Sequence, residues 1–300
     1  MNFAPTTIAN KINPPSAPNT AGEPNYIRID TPQSSTENFR RVLQALDQPE
    51  NGQWSPWATE EPIFQANILK AANSGFLGNL SKYRTIEQLQ RFVEPSQCCM
   101  LALTAGFSQL FQEERSVEGY SRHFLWRHCV ATAHVAETIA RITEGCSPLD
   151  AFSAGLCHDI GWLRIESAEE TRWQQWLVMA KEGAMAPEQE ASFFPLSHAD
   201  VGYEFLRSYD APHWITATAR FHHRYHLCDL ETQPLVGCIT VANYLVSRQG
   251  WTSIGVNNAI SPAGSILRQL GITALTLRLL WSQLSMLLDE AGNLANSQIS

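Results

Sequence analysis

Apolar residues recur along this chain at helical rather than strand spacing. Phe64, Ile68, Ala71 and Ala72 fall at i, i+4, i+7 and i+8 and form one buried stripe, with the glycines of ANSGFLG stopping the helix behind it. FLWRHCVATAHVAETIARI repeats the pattern with Val135, Ile139 and Ile142. Further helices are expected over PLDAFSAGL, SHADVGYEFL, PHWITATARFHH and LVGCITVANYLV, joined by loops such as KEGAMAPEQEASFFPL. A last helix carries Leu277, Leu280, Leu284, Leu287 and Leu288 on one face; it has too few heptads for a coiled coil and is expected to dock on the rest of the chain. Strand alternation is scarce, so the predicted class is all-α.

The pattern also divides the chain. Residues 1–35 are rich in Pro, Asn, Thr and Ser, and so poor in large apolar groups that burial cannot offset the entropy of ordering; they read as a flexible tail. Residues 36–111 read as a packed set of short helices, and the polar break QEERSVEGYSR separates them from a second helical unit over 112–250, followed by a C-terminal extension over 251–300.

Composition excludes several classes. The formal charge of -8 on 300 residues comes without any Lys/Arg cluster, which leaves no footprint for DNA or an anionic membrane surface. The seven cysteines are odd in number and lack CxxC spacing, as expected of reduced thiols in a cytoplasm. No signal peptide or apolar span long enough to cross a bilayer is found, so a cytoplasmic protein is expected.

The histidines separate by helical face. At about 100° per residue, His128 shares the stripe of Thr132, Val135, Ile139 and Ile142, whereas His134 is expected to point away with Glu137 and Arg141. His198 lies with Val201, Gly202 and Phe205, His222 with Ile215 and Ala219, and Asn243 with Ile239 and Val246. His158 and Asp159 sit side by side in the apolar GLCHDIGWL, an arrangement suited to a helix end, where consecutive side chains can be turned to one point. His123, His213 and His226 read as ordinary surface or packing residues. Each inward polar group left unsatisfied would cost about 1–3 kcal/mol. A shared divalent cation removes that cost, and imidazole with carboxylate suits Fe, Mn, Zn or Ni. The candidate ligands are His128, His158, Asp159, His198 and His222, with His223 and Asn243 added on weaker grounds.

The ordered set ILKAANSGFLG, FLWRH, AGLCHDIG, HADVG and ARFHH resembles the motifs of HDOD-domain proteins within the HD superfamily of metal-dependent phosphohydrolases. That resemblance, over roughly 39–246, implies an N-terminal helical subdomain packed on an HD-type helical core. It also implies one or two divalent ions (Fe, Mn, Zn, Ni or Mg) at the ligands named above, with Asp159 in the catalytic role of hydrolytic relatives. Two positions depart from those relatives. Asn243 stands where an aspartate closes the site, and Trp162 where the cyclic-dinucleotide phosphodiesterase branch carries a lysine. The expectation is therefore a signalling or regulatory protein that acts by binding a protein or nucleotide partner. The alternative is an active phosphohydrolase on a nucleotide or other phosphate ester.

Overall fold

The computed structural model describes residues 33–46, 58–78, 82–113, 115–117, 120–181, 190, 193–256 and 259–299. The expected tail up to residue 32, and most of the loop expected over KEGAMAPEQEASFFPL, lie outside the described residues. Those described form thirteen α-helices and one hairpin of two-residue strands, so the fold is all-α. The hairpin, β1 (Ser116–Val117) with β2 (Tyr120–Ser121), falls inside the polar break, where the sequence suggested no regular structure.

Four helices come first: α1 (Gln33–Ala45), α2 (Pro62–Ala72), α3 (Ile86–Phe92) and α4 (Pro95–Ser108). Helix α4 is the apolar centre of this group, buried from Cys98 to Ser108, and α1 and α2 pack on it. Behind α2 the chain reverses through Gly75 and Gly78 at φ of 95° and 67°, a conformation that favours glycine.

The longest element of the second unit is α5 (Arg122–Thr143), started by Ser121, whose hydroxyl accepts from the Phe124 amide, and ended by Glu144 in the left-handed region. Its alanines let other helices approach closely. Helix α6 (Pro148–Cys157) does so through Gly155, where a Cβ would stand 2.8 Å from the Ala133 Cα. That contact brings the end of α6 beside His128. Helices α7 (Ile160–Ala168) and α8 (Glu170–Lys181) follow, then α9 (His198–Ser208), α10 (His213–Phe221) and α11 (Gln233–Arg248), which closes on α5. Helix α7 crosses α9 at Gly161, where an added Cβ would lie 1.9 Å from the His198 carbonyl oxygen. Only a residue without a side chain permits this crossing.

After the short α12 (Gly264–Gln269), α13 (Ala274–Gln298) docks on α5 and α2, with Leu280, Leu284, Leu287 and Leu288 buried. Trp126 Nε1 donates to the Ala295 carbonyl at 3.0 Å, and Gln298 Nε2 donates to the Asn67 carbonyl at 3.1 Å. This docking corrects the facial reading of α5. His134 is buried rather than outward, with Nε2 donating to Glu290 on α13 at 2.9 Å and the Phe76 ring meeting it edge-on at 4.7 Å. Ile142, placed inward by periodicity, is 48% exposed because it lies in the last turn of α5. A single helical stripe cannot describe a helix covered on two sides. No described helix is long and apolar enough to cross a membrane.

The Gly161 crossing gives a direct test. Gly161→Ala forces backbone apart at the point that fixes His198, so it should destabilise the protein by about 3 kcal/mol, the upper range for overpacking. The urea midpoint should fall; an unchanged midpoint would show that α7 and α9 are not held at that distance.

Candidate metal centre

Helix α6 ends at Cys157 and α7 begins at Ile160, leaving His158 and Asp159 at the junction. Asp159, at φ −105° and ψ 12°, is outside helical geometry, and both side chains turn to the same point. His128 comes from the second turn of α5, His198 from the first residue of α9, and His222 from the residue that ends α10. Side chains tie the segments carrying the last two together: Ser197 caps α9 and also orders Asp200, and Arg224 Nη2 donates to Asp200 Oδ2 at 3.0 Å. Thr240 of α11 donates to the His222 carbonyl at 2.9 Å.

All four of these imidazoles are fully buried, and each is oriented through Nδ1. His128 Nδ1 meets the Trp251 carbonyl at 2.7 Å, His158 Nδ1 the Gly155 carbonyl at 2.7 Å, and His222 Nδ1 the Ala219 carbonyl at 2.9 Å. Carbonyl oxygens only accept, so the proton sits on Nδ1 and the Nε2 lone pair faces inward. His198 Nδ1 instead donates to Glu190 Oε2 at 2.7 Å, the carboxylate–histidine pairing that orients a metal ligand and raises its basicity. Trp162 stacks on the other side of His198, with centroids 4.4 Å apart and planes 12° from parallel.

The four Nε2 atoms surround one carboxylate. His128 and His158 lie 3.4 and 3.3 Å from Asp159 Oδ2, while His198 and His222 lie 3.4 and 3.3 Å from Asp159 Oδ1. Within each pair the nitrogens face each other, at 3.3 Å for His128 with His158 and 3.4 Å for His198 with His222. His128 and His158, both carrying the proton on Nδ1, present two bare lone pairs that repel at that distance, and Asp159 Oδ1 is buried without a good hydrogen bond. A divalent cation satisfies both defects at once, and nitrogen with carboxylate oxygen is a fitting donor set for it. Two groups of donors result, His128 with His158 and Asp159, and Asp159 with His198, His222 and the exposed His223. Asn243 lies beside them on the wall of a cavity of about 320 Å³, its side-chain oxygen accepting from Ser247 at 3.1 Å.

Electrostatics differ from one histidine to the next. Burial pushes His222 down to about 4, so it is neutral and ready to ligate. Burial also lowers His198, but Glu190 and Asp159 outweigh it and raise the ring to about 10. Burial would raise the Asp159 carboxyl; His158, His128 and His198 prevail and hold it well below the usual carboxylate range.

Three contributors escaped the sequence reading. Glu190 lies in the stretch read as a plain loop, and an acid eight residues before His198 carries no periodic signal. Trp251 acts through its carbonyl, which no side-chain pattern reveals. His226, read as an ordinary surface or packing residue, lines the cavity.

The HDOD domain family model matches residues 35–225. Among solved structures, an HDOD domain protein of unknown function from Geobacter sulfurreducens is similar with a TM-score of 0.75 and 18% identity, covering 89% of this chain and 93% of that one. A provisionally named phosphohydrolase of Shewanella amazonensis matches at 0.68 and 17% identity over 87% and 93% of the two chains. A provisionally named signal transduction protein of Marinobacter aquaeolei matches at 0.70 and 16% identity over 91% and 62%. An uncharacterized protein of Treponema pallidum is 22% identical over 190 residues, 63% of this chain; the match takes in 36% of that longer protein.

Because His198 holds a proton up to about 10 and must release it to a metal, binding should free about one proton at neutral pH. Affinity should therefore rise about tenfold per pH unit from about pH 6 to about pH 8, and fall as pH drops. Calorimetry in buffers of different ionisation enthalpy counts the proton. Glu190→Gln removes the charge behind His198 and should weaken metal binding about 10–100-fold; equal affinity in both proteins would refute the pairing.

Proposed function

The chain belongs to the HDOD family, and from that premise we propose that it is a regulatory protein whose core holds two divalent ions and takes a phosphate-bearing ligand above them. The observation that carries this reading is the convergence of four buried imidazole nitrogens on the two oxygens of Asp159, which together with His198 and His222 lines a cavity. His128, His158 and Asp159 would hold one ion; Asp159, His198, His222 and His223 would hold the other. Bound there, the ions would supply positive charge to phosphoryl oxygens.

The chain's own residues do the rest. Glu190 and the three backbone carbonyls fix the imidazole tautomers, while Trp162 holds the His198 ring flat. Asn243 contributes a neutral amide to the wall where hydrolytic relatives place an aspartate, and Trp162 offers no ammonium to a phosphate. Binding with little turnover follows, with a signalling protein reading the occupied state. A second reading, a metal-dependent phosphohydrolase, draws on the placement of Asp159 between both donor groups, from which it would orient an attacking water.

Metal content and thermal melting test the proposal. Protein purified without chelator should hold about one to two ions per chain, and metal at about 100 times its Kd should add about 2.7 kcal/mol of stability, reversed by EDTA. Asp159→Ala should lose both the metal and the EDTA response. A wild-type melting temperature indifferent to Mn, Fe, Zn and Ni would end the metal reading. Turnover of bis(4-nitrophenyl) phosphate above the Asp159→Ala background would move the conclusion to the hydrolase.

A further inference from the structure

The cavity over the metal centre is short of positive charge on its walls. Among its described lining residues there is no lysine or arginine, and the two acids, Asp159 and Glu190, are both engaged by histidines. In sequence, 182–189 (EGAMAPEQ) before Glu190 and 257–258 (NN) between Val256 and Ala259 contain no basic residue either. Arg220 and Arg224, the arginines nearest in sequence to His222 and His223, are both directed to Asp200. What lines the cavity instead is aromatic and hydroxylic, including Trp176, Tyr225, Tyr244, Thr240, Ser253 and Ser265.

Positive charge is thus confined to one end. Two divalent ions, less the charges of Asp159 and Glu190, leave about two positive charges, which one phosphate monoester dianion cancels. Each further phosphate would enter a space whose described lining offers no lysine or arginine to meet it, and an unpaired charge is a strong discriminator. An uncharged ring, in contrast, can bury its faces against the aromatic wall while hydroxyls satisfy its polar edge.

Building on the metal-centred reading above, we propose that the ligand is a phosphate ester with a single phosphate seated at the Asp159 centre and an uncharged, ring-bearing body along the Tyr225–Tyr244 wall. Nucleoside di- and triphosphates are discriminated against.

The test is calorimetric titration of the Mn-loaded full chain with inorganic phosphate, phenyl phosphate, AMP and ATP, with metal content measured before and after to exclude stripping. A ring-bearing monoester should bind at least about tenfold more tightly than either inorganic phosphate or ATP. ATP binding as tightly as AMP and phenyl phosphate, or more so, overturns the charge argument; monoesters no tighter than inorganic phosphate overturn the wall argument. Failure of every phosphate to bind the loaded protein strikes the underlying reading itself, and is distinguishable because the metal is still counted. Ile260→Arg supplies a gain-of-function arm, since Ile260 is 63% exposed on the cavity rim and touches no proposed metal ligand role. The added guanidinium should narrow the AMP-to-ATP preference by about tenfold; an unchanged preference counts against the proposal.

Discussion

A single buried carboxylate organises the centre of this protein. Asp159 is 2% exposed, and each of its oxygens faces two imidazole nitrogens brought from separate helices. The cost of burying a carboxylate among polar rings is offset only if the rings are held so that their lone pairs or protons meet it. Much of the second helical unit supplies that constraint. Gly155 presses α6 onto α5, Gly161 presses α7 onto α9, and Arg224 fastens the end of α10 to the start of α9. These packing contacts are therefore also the coordinates of the site.

The same constraint explains what could be read from the chain and what could not. The all-α class and the HDOD motifs were legible because helical periodicity and the glycines of the motifs are local signals. The inward direction of His128, His198 and His222 followed from the apolar residues one turn away. His134 was misjudged because what covers it comes from far along the chain, the Glu290 carboxylate on α13, more than 130 residues later, and the Phe76 ring from well before it. Glu190 and the Trp251 carbonyl were invisible for a related reason, since each acts across space through a group whose partner no local pattern specifies.

The difference between His198 and His222 follows from what stands behind each one. His222 leans on a neutral carbonyl and His198 on a carboxylate, so similar burial gives unequal basicity: His222 is driven down by burial while His198 is driven up by Glu190 and Asp159. The two donor groups sharing Asp159 are consequently not equivalent. The group containing His198 carries an extra negative charge behind its ligand and an exposed fourth donor in His223, whereas the group containing His128 is wholly buried. The first faces the cavity and the second backs onto the core of α5 and α6.

Helix α5 joins this centre to the C-terminal helix. On one side it presents His128, whose ring is fixed by the carbonyl of Trp251 just beyond α11; on another it presents His134, bonded to Glu290 of α13. Trp126, two residues before His128, adds a further bond to the Ala295 carbonyl. A rotation of α5 that withdrew His128 from Asp159 would also move Trp126 and His134 against α13, because a hydrogen-bonded helix turns as a rigid rod rather than residue by residue. Helix α13 in turn bonds to Asn67 on α2, so the position of the N-terminal helices depends on the same rod. Helix α5 therefore touches the Asp159 centre through His128 and α13 through Trp126 and His134, and α13 touches α2, so the placement of His128 and the packing of the N-terminal helices rest on one rigid helix.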